Sequence, residues 1–169
     1  MLSAPHLAFV ALGSNLGDPV RQVRAAIDRL ADLSTATLLV SSLWESSPVD
    51  CPPGSPPFVN AVAGLTPASD DTPERLLTRL QAIERDFGRT TRTRRNEPRP
   101  LDLDLIAFGR ETRLTPELML PHPRAHLRRF VLQPLAEIAP DLVLPGQIET
   151  ISLLLQQLDS REILQRIEP

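Results

Sequence analysis

The sequence contains no lysine, one cysteine, few aromatic residues and no long uncharged apolar run, and each shortage excludes a class of function. All 18 basic residues of the 169 are arginine, so phosphate contacts must come from guanidinium or backbone groups, and a lysine Schiff base is excluded. The single Cys51 excludes an internal disulfide, and no Cys/His metal spacing occurs. No apolar stretch approaches membrane length, and the N-terminus has no signal-peptide pattern. We therefore expect a soluble cytoplasmic protein without a membrane partner.

The overall charge indicates small-molecule rather than nucleic-acid partners. The net charge is −3 and the pI is about 5.6, whereas nucleic-acid binders usually carry a basic face and a high pI. Apolar residues make up 41% of the chain, which suffices for one sizeable core. We expect a single domain over 1–169 that acts as a monomer.

The order of apolar segments predicts an α+β fold. Short apolar runs at 7–12, 37–43, 58–65 and 101–108 are typical of strands. Helical spacing predicts helices over 19–32, with Asp18 as N-cap and Pro19 at the first position, and over 73–87, with Gly88 ending the helix. The resulting order, β-α-β-β-α-β, is the split pattern of a ferredoxin-like fold. After it we expect a helix near 131–139 and further helical C-terminal segments.

Asp102-Leu103-Asp104 is the sharpest local feature. Residues i and i+2 of a strand lie on one face, so two carboxylates stand side by side while Leu103 faces the core. Two adjacent negative charges favour a bound cation, and Mg²⁺ accepts such oxygens while keeping positions for water and phosphate. A strand face paired with arginines is the alternative.

A cluster of arginines immediately precedes this pair, at Arg85, Arg89, Arg92, Arg94, Arg95 and Arg99. Guanidinium groups bind phosphate oxygens bidentately, and a loop can carry them onto a nucleotide. A solvated basic loop or an RNA contact is the alternative. Together with the carboxylate pair, however, the cluster favours a metal–phosphate site and phosphoryl transfer.

Two further positions are candidates for ligand contacts. His122 lies between two prolines in a turn, where it can reach a phosphate or nucleotide; a structural or merely solvent-exposed histidine is the alternative. Asn60 lies in the predicted strand 58–65, and its amide can read the donor and acceptor edge of a heterocycle; an asparagine at a strand bulge or edge is the alternative.

These motifs together resemble the 6-hydroxymethyl-7,8-dihydropterin pyrophosphokinase (HPPK) family over roughly residues 7–145. The matching segments are ALGSNLGD (11–18), SSLWESSP (41–48), FVNAV (58–62), ERDFGR (84–89), PRPLDLDLI (98–106), LPHPR (120–124), RFVLQPL (129–135) and EIAPD (137–141).

The resemblance implies a ferredoxin-like fold, two Mg²⁺ ions, and ATP and the reduced pterin alcohol as substrates, with AMP released in folate biosynthesis. It makes Asp102 and Asp104 metal ligands and Arg89 and Arg99 loop residues that stabilise the phosphates. The positions implied on the ATP side are Gln81, Glu84, Arg89, Arg92, Arg99, His122 and Arg128. Those implied in the pterin pocket are Ser46, Ser47, Asn60 and Phe130, with Asn60 reading the ring edge and Phe130 stacking on it.

The sequence departs from the family pattern in two loops. Asn96 and Glu97 stand where many relatives have Trp-Gly, so a tryptophan from the closing loop is not available to stack on the pterin. Ser47 replaces a frequent proline in an unusually Pro-rich segment, 46–57.

Two alternative functions remain open from sequence. Another Mg/ATP phosphotransferase on the same scaffold would yield ADP rather than AMP. A non-catalytic RNA- or anion-binding module would need stacking aromatics on its strands, which LAFVAL and LDLDLIAF lack.

Overall fold

The computed structural model describes residues 6–48, 51–88 and 100–169. The first part contains β1 (Ala8–Ser14), α1 (Pro19–Ala31), β2 (Leu39–Val40), β3 (Leu43–Ser46), β4 (Phe58–Leu65), α2 (Pro73–Asp86) and β5 (Asp102–Phe108). The remainder contains β6 (Arg113–Leu114), β7 (Met119–Leu120), a 3-10 helix (Ala125–Leu127), α3 (Arg129–Ile138), α4 (Ile151–Gln157) and β8 (Leu164–Ile167).

The main sheet is antiparallel and confirms the predicted ferredoxin-like α+β fold. Its strands run in the order β5-β1-β4-β3-β8, with β2 paired to β4 beside β3. β1 is therefore an interior strand and contacts β4 on one side and the edge strand β5 on the other. β6 and β7 form a separate two-stranded ribbon.

Alternating side chains give the sheet two buried faces. Val10 and Leu12 of β1 pack into a core with the apolar stripes of α1 and α2, including Leu30 and Leu80. The opposite face, which includes Phe9, packs against α3 and α4. Beyond this second core, the same face of the sheet extends to the first residues of β5, where the candidate site lies.

The predicted starts of both helices are confirmed by their caps, and each helix ends one residue before its predicted end. The Asp18 carboxylate accepts a hydrogen bond from Arg21 N at 3.2 Å, and Pro19 follows at the first helical position. Thr72 caps α2 in the same way, through Arg75 N at 3.2 Å. Gly88 follows α2 with φ +89°, a conformation that glycine adopts without strain.

The predicted strand 37–43 is wrong in its bounds, because the chain there forms two short strands. Ser41 lies between them, and its hydroxyl accepts a hydrogen bond from Val62 N at 2.9 Å while its own N–H donates to Val62 O at 3.0 Å. A side-chain oxygen thus takes the place of a backbone carbonyl, and β3 begins afresh at Leu43 and extends to Ser46.

The C-terminal segment is only partly helical. α4 confirms a helix there, but Leu164–Ile167 forms β8, which pairs antiparallel with the outer edge of β3. A strand edge offers unpaired N–H and C=O groups, and pairing with β8 satisfies them. Within the described ranges, no helix has both the length and the apolar character that crossing a membrane requires.

Candidate active site

Two carboxylates begin β5 on the same face of the sheet, as the sequence predicts. Asp102 and Asp104 are both half-buried, and Leu103 between them is buried in the opposite core. Asp102 pairs with Gly13 and Asp104 with Ala11 of β1. The acidic pair therefore stands beside the C-terminal end of β1.

Strand register places Asp102 in one line with Asn60, the residue predicted to read the edge of a heterocycle. Gly13 pairs with Asp102 on one side and with Asn60 on the other, and Asn60 pairs with Trp44 of β3. We call these four residues the cross-strand row. Since neighbouring strands lie about 4.8 Å apart, the backbones of Asp102 and Asn60 are separated by roughly 10 Å.

Gly13 has no side chain and lies between Asp102 and Asn60 in the row. A Cβ atom there would lie 3.6 Å from Asn60 Oδ1 and 3.9 Å from Phe58 Cδ1, which is ordinary contact distance. Because glycine has no side chain, no side chain of β1 stands between Asp102 and Asn60 in this row.

Asn60 is held in a fixed orientation by β3. Its Nδ2 donates to Ser46 Oγ at 2.7 Å and to the Trp44 carbonyl at 3.2 Å, and the residue is buried. With both amide hydrogens used, Oδ1 lies toward Gly13 as an acceptor. Ser46 is also buried, and its part here is to orient Asn60.

α3 brings a cation and an aromatic ring to the same face. The Arg128 guanidinium lies 5.4 Å from the centre of the Phe130 ring, a cation–π contact. Burial lowers the pKa of Arg128, while the charges of Asp104 and Asp102 act in the opposite direction. An arginine whose pKa responds to the charges of both carboxylates lies close enough to share a bound ligand with them, and its guanidinium group favours an anion.

His122 lies in the turn that follows β7, and its backbone N–H donates to Ile106 O of β5 at 2.8 Å. Burial, and then the charges of Arg128 and Arg124, lower the pKa of His122 to about 4, against the opposing effect of Asp102. Nδ1 accepts from Arg124 N at 3.1 Å, so the proton of the neutral ring is on Nε2. His122 is therefore a neutral donor at physiological pH.

Two predicted nucleotide contacts lie on α2, which packs behind β5. Glu84 is buried, and its Oε2 accepts from Leu103 N at 2.9 Å, between the two aspartates. This contact gives Glu84 a part in holding the acidic strand. Gln81 is exposed one turn earlier. Nucleotide contact by either residue remains a prediction.

The remaining predicted residues divide into two groups. Ser47 is half-buried at the end of β3, where its N–H donates to Ile163 O at 3.3 Å. Arg89, Arg92 and Arg99 lie outside the described residues, as do Asn96 and Glu97.

Sequence reasoning missed Phe58 and Gly13 as parts of this site. Phe58 precedes Asn60 by two residues and so lies on the same face of β4, opposite Ser46. The same i, i+2 rule that located the aspartates could have found it. The position of Gly13 depends on cross-strand register, which has no local sequence signal.

Comparison with solved structures defines the fold class. The chain superimposes on the wild-type HPPK-DHPS protein of Plasmodium falciparum with TM-scores of 0.70 in one crystal structure and 0.69 in another, with pteroate, at 13% and 12% identity. The two superpositions include 91% and 93% of this chain but only 44% and 45% of those longer chains. At this identity the likeness shows a shared fold.

The sequence comparisons then show the family. The family model described as 7,8-dihydro-6-hydroxymethylpterin-pyrophosphokinase (HPPK) matches residues 9–140. A 2-amino-4-hydroxy-6-hydroxymethyldihydropteridine pyrophosphokinase of Haemophilus influenzae is 42% identical over 92% of this chain and 96% of its own length. The enzyme of the same name from Pseudomonas aeruginosa is 46% identical over 81% and 83%. This chain belongs to the HPPK family.

Proposed function

We propose that this chain transfers a diphosphate from ATP to the hydroxymethyl group of 6-hydroxymethyl-7,8-dihydropterin and releases AMP. The observation that carries the proposal is the cross-strand row, in which Asp102, beside Asp104 on the same strand face, is joined through Gly13 to the fixed amide acceptor of Asn60. Its two ends suit the two parts of such a reaction, the phosphates and the heterocycle. The names of the relatives at 42% and 46% identity support the same activity.

The carboxylate end fits Mg²⁺, and we propose that Asp102 and Asp104 hold two such ions. Within the described ranges, no group of three or more His, Cys, Asp or Glu side chains could hold a metal ion. Two half-buried carboxylates on one strand face suit a cation that keeps water and substrate phosphates in its remaining positions. When bound, the ions supply charge neutralisation for the phosphates.

The other end fits a pterin ring. Asn60 Oδ1 offers an acceptor to the polar ring edge, and Ser46 and Trp44 O prevent the amide from turning away. Phe58 beside Asn60 and Phe130 on α3 supply aromatic faces for stacking. We assign Ser47 to the rim of this pocket.

The protein's contribution to the reaction is positioning and charge. The pterin hydroxyl loses its proton to solvent as its oxygen attacks the β-phosphorus, the bond from that phosphorus to the oxygen bridging it to the α-phosphate breaks, and AMP leaves with the bonding electrons. Arg128 lies where it can share the developing charge, and neutral His122 can donate from Nε2 to a phosphate oxygen. We propose that Arg89, Arg92 and Arg99 stabilise the same developing charge, and that Gln81 and Glu84 contact the nucleotide. We further propose that the chain acts as a cytoplasmic monomer of one domain.

Product analysis tests the proposal. The purified chain is incubated with ATP, Mg²⁺ and 6-hydroxymethyl-7,8-dihydropterin, and nucleotides are separated by chromatography. We expect AMP in equal amount to a pterin diphosphate, and loss of both with Asp102→Ala. ADP would indicate single-phosphate transfer on this scaffold, and phosphate binding that needs neither Asp102 nor Mg²⁺ would indicate a non-catalytic anion-binding module.

A further inference from the structure

The C-terminal segment 158–167 touches both walls of the proposed pterin pocket, although it lies beyond the residues that the family model matches. Along one wall, β8 pairs with β3 so that Leu164 is opposite Ser46, and Ser47 N donates to Ile163 O at 3.3 Å. Along the other wall, Arg129 donates to Leu158 O at 3.2 Å. The segment thus connects the end of β3 to the start of α3.

Glu162 makes the central contact of this segment. Its Oε2 accepts a hydrogen bond from the backbone N–H of Phe130 at 3.1 Å. The first N–H groups of a helix have no partner within the helix, and a carboxylate there satisfies one of them and is favoured by the helix dipole. α3 has no such group of its own, because Arg128 at its N-cap makes no side-chain cap and its first turn contains no acidic residue.

The environment of Glu162 indicates that its carboxylate is held in place rather than loosely solvated. Glu162 is half-buried, and its own N–H donates to Ser160 Oγ at 3.1 Å. Burial raises the pKa of Glu162, while its backbone hydrogen bonds and the charges of Arg128 and Arg129 oppose the shift. The contact falls on the residue whose ring forms one wall of the pocket.

We infer that Glu162 is a positioning residue, which fixes the start of α3 so that the Phe130 ring lies at stacking distance from a pterin held by Asn60. The inference rests on the proposed pterin pocket. Because β8 anchors Glu162 to β3, the same segment sets the separation of the two walls. Without the carboxylate, the Phe130 N–H turns toward water and the ring loses its fixed distance from the cross-strand row.

Three single variants test this inference. Glu162→Ala removes the acceptor. Glu162→Gln keeps an acceptor for the Phe130 N–H. Glu168→Ala removes an exposed carboxylate from the same terminal segment and serves as the matched control. Affinity for 6-hydroxymethyl-7,8-dihydropterin is measured by calorimetry at 25 °C with a non-hydrolysable ATP analogue present. Circular dichroism confirms that each variant is folded, with a loss of about 2–4 °C in Tm expected for Glu162→Ala.

We expect pterin affinity to fall about 10-fold in Glu162→Ala, as for the loss of a charged hydrogen bond. It should stay within about 3-fold of the unsubstituted chain in Glu162→Gln and be unchanged in Glu168→Ala. The decisive measurement is a double-mutant cycle with Phe130→Ala. If Glu162 acts through the ring, its removal has no further effect once the ring is absent.

A Glu162→Ala variant with unchanged pterin affinity, or a loss that adds fully to that of Phe130→Ala, would overturn the inference while leaving the proposed function intact. Failure of the unsubstituted chain to bind the pterin is a separate result. It would remove the pocket itself and the positioning role with it.

Discussion

Replacing Gly13 with alanine adds one methyl group to the middle of the cross-strand row, and the structure gives this change two opposite effects. The new Cβ would meet Asn60 Oδ1 at 3.6 Å and Phe58 Cδ1 at 3.9 Å, so the fold accommodates it without movement. Gly13 does not have a positive φ. Alanine in a strand is favoured over glycine by about 0.5–1 kcal/mol, so we expect a Tm that is unchanged or up to about 4 °C higher.

The ligand should be affected in the other direction. The methyl group adds bulk between Asp102 and Asn60, where we propose that the ligand binds, and overfilling a fitted site costs about 1–3 kcal/mol. We therefore expect the KM for the pterin to rise about 10-fold or more in Gly13→Ala. Steady-state kinetics and thermal unfolding on the same preparation measure both effects.

Gly64→Ala is the matched control, since Gly64 lies in β4 away from the row. Its Cβ would lie 3.1 Å from Phe9 Cε1 and 3.5 Å from Leu39 Cβ, which is tight. We expect a loss of stability of about 1 kcal/mol with an unchanged KM. A Gly13→Ala enzyme with normal KM for the pterin would refute the placement of the substrate across the row.

Three further predictions follow from the same site. Asp102→Asn and Asp104→Asn should each lower kcat at least about 100-fold, with partial recovery at high Mg²⁺. Measuring the rate over a titration of Mg²⁺ checks this, and a rate that depends on neither residue would contradict the metal assignment. Asn60→Ala should raise the pterin KM about 10-fold, and Ser46→Ala less, since Asn60 then keeps its bond to a backbone carbonyl; equal effects in steady-state kinetics would argue against the orienting role of Ser46. Because the folded pKa of His122, about 4, lies below the unfolded value near 6.5, the neutral ring contributes stability above pH 6.5 that is lost as pH falls toward 4. From denaturant unfolding, we therefore expect the free energy of unfolding to fall by about 1–2 kcal/mol more in the unsubstituted chain than in His122→Gln between pH 6.5 and 4, since the ring is partly exposed. Parallel plots of this free energy against pH for the two proteins would contradict the prediction.

The parts of the fold that the sequence predicts are those with local signals. Asp18-Pro19 and Thr72-Pro73 begin helices because caps act within one turn. Asp102 and Asp104 share a face because strand periodicity is local. The break at Ser41 was missed because a hydroxyl in the strand ladder leaves an apolar run looking continuous.

The parts that local patterns miss depend on pairing between distant segments. No spacing indicates that Gly13 lies between Asp102 and Asn60, because that order comes from the register of three strands. Likewise β8 is short and alternates weakly, and it becomes a strand because the edge of β3 offers hydrogen-bond partners. Glu162 reaches the start of α3 only through that pairing.

The fate of the β-phosphorus tests the central claim most directly. ATP radiolabelled at the β-phosphorus is supplied with Mg²⁺ and 6-hydroxymethyl-7,8-dihydropterin, and the products are separated. The account predicts that the label appears in the pterin product while the AMP is unlabelled. Label retained in ADP, with only the γ-phosphate transferred, would contradict it.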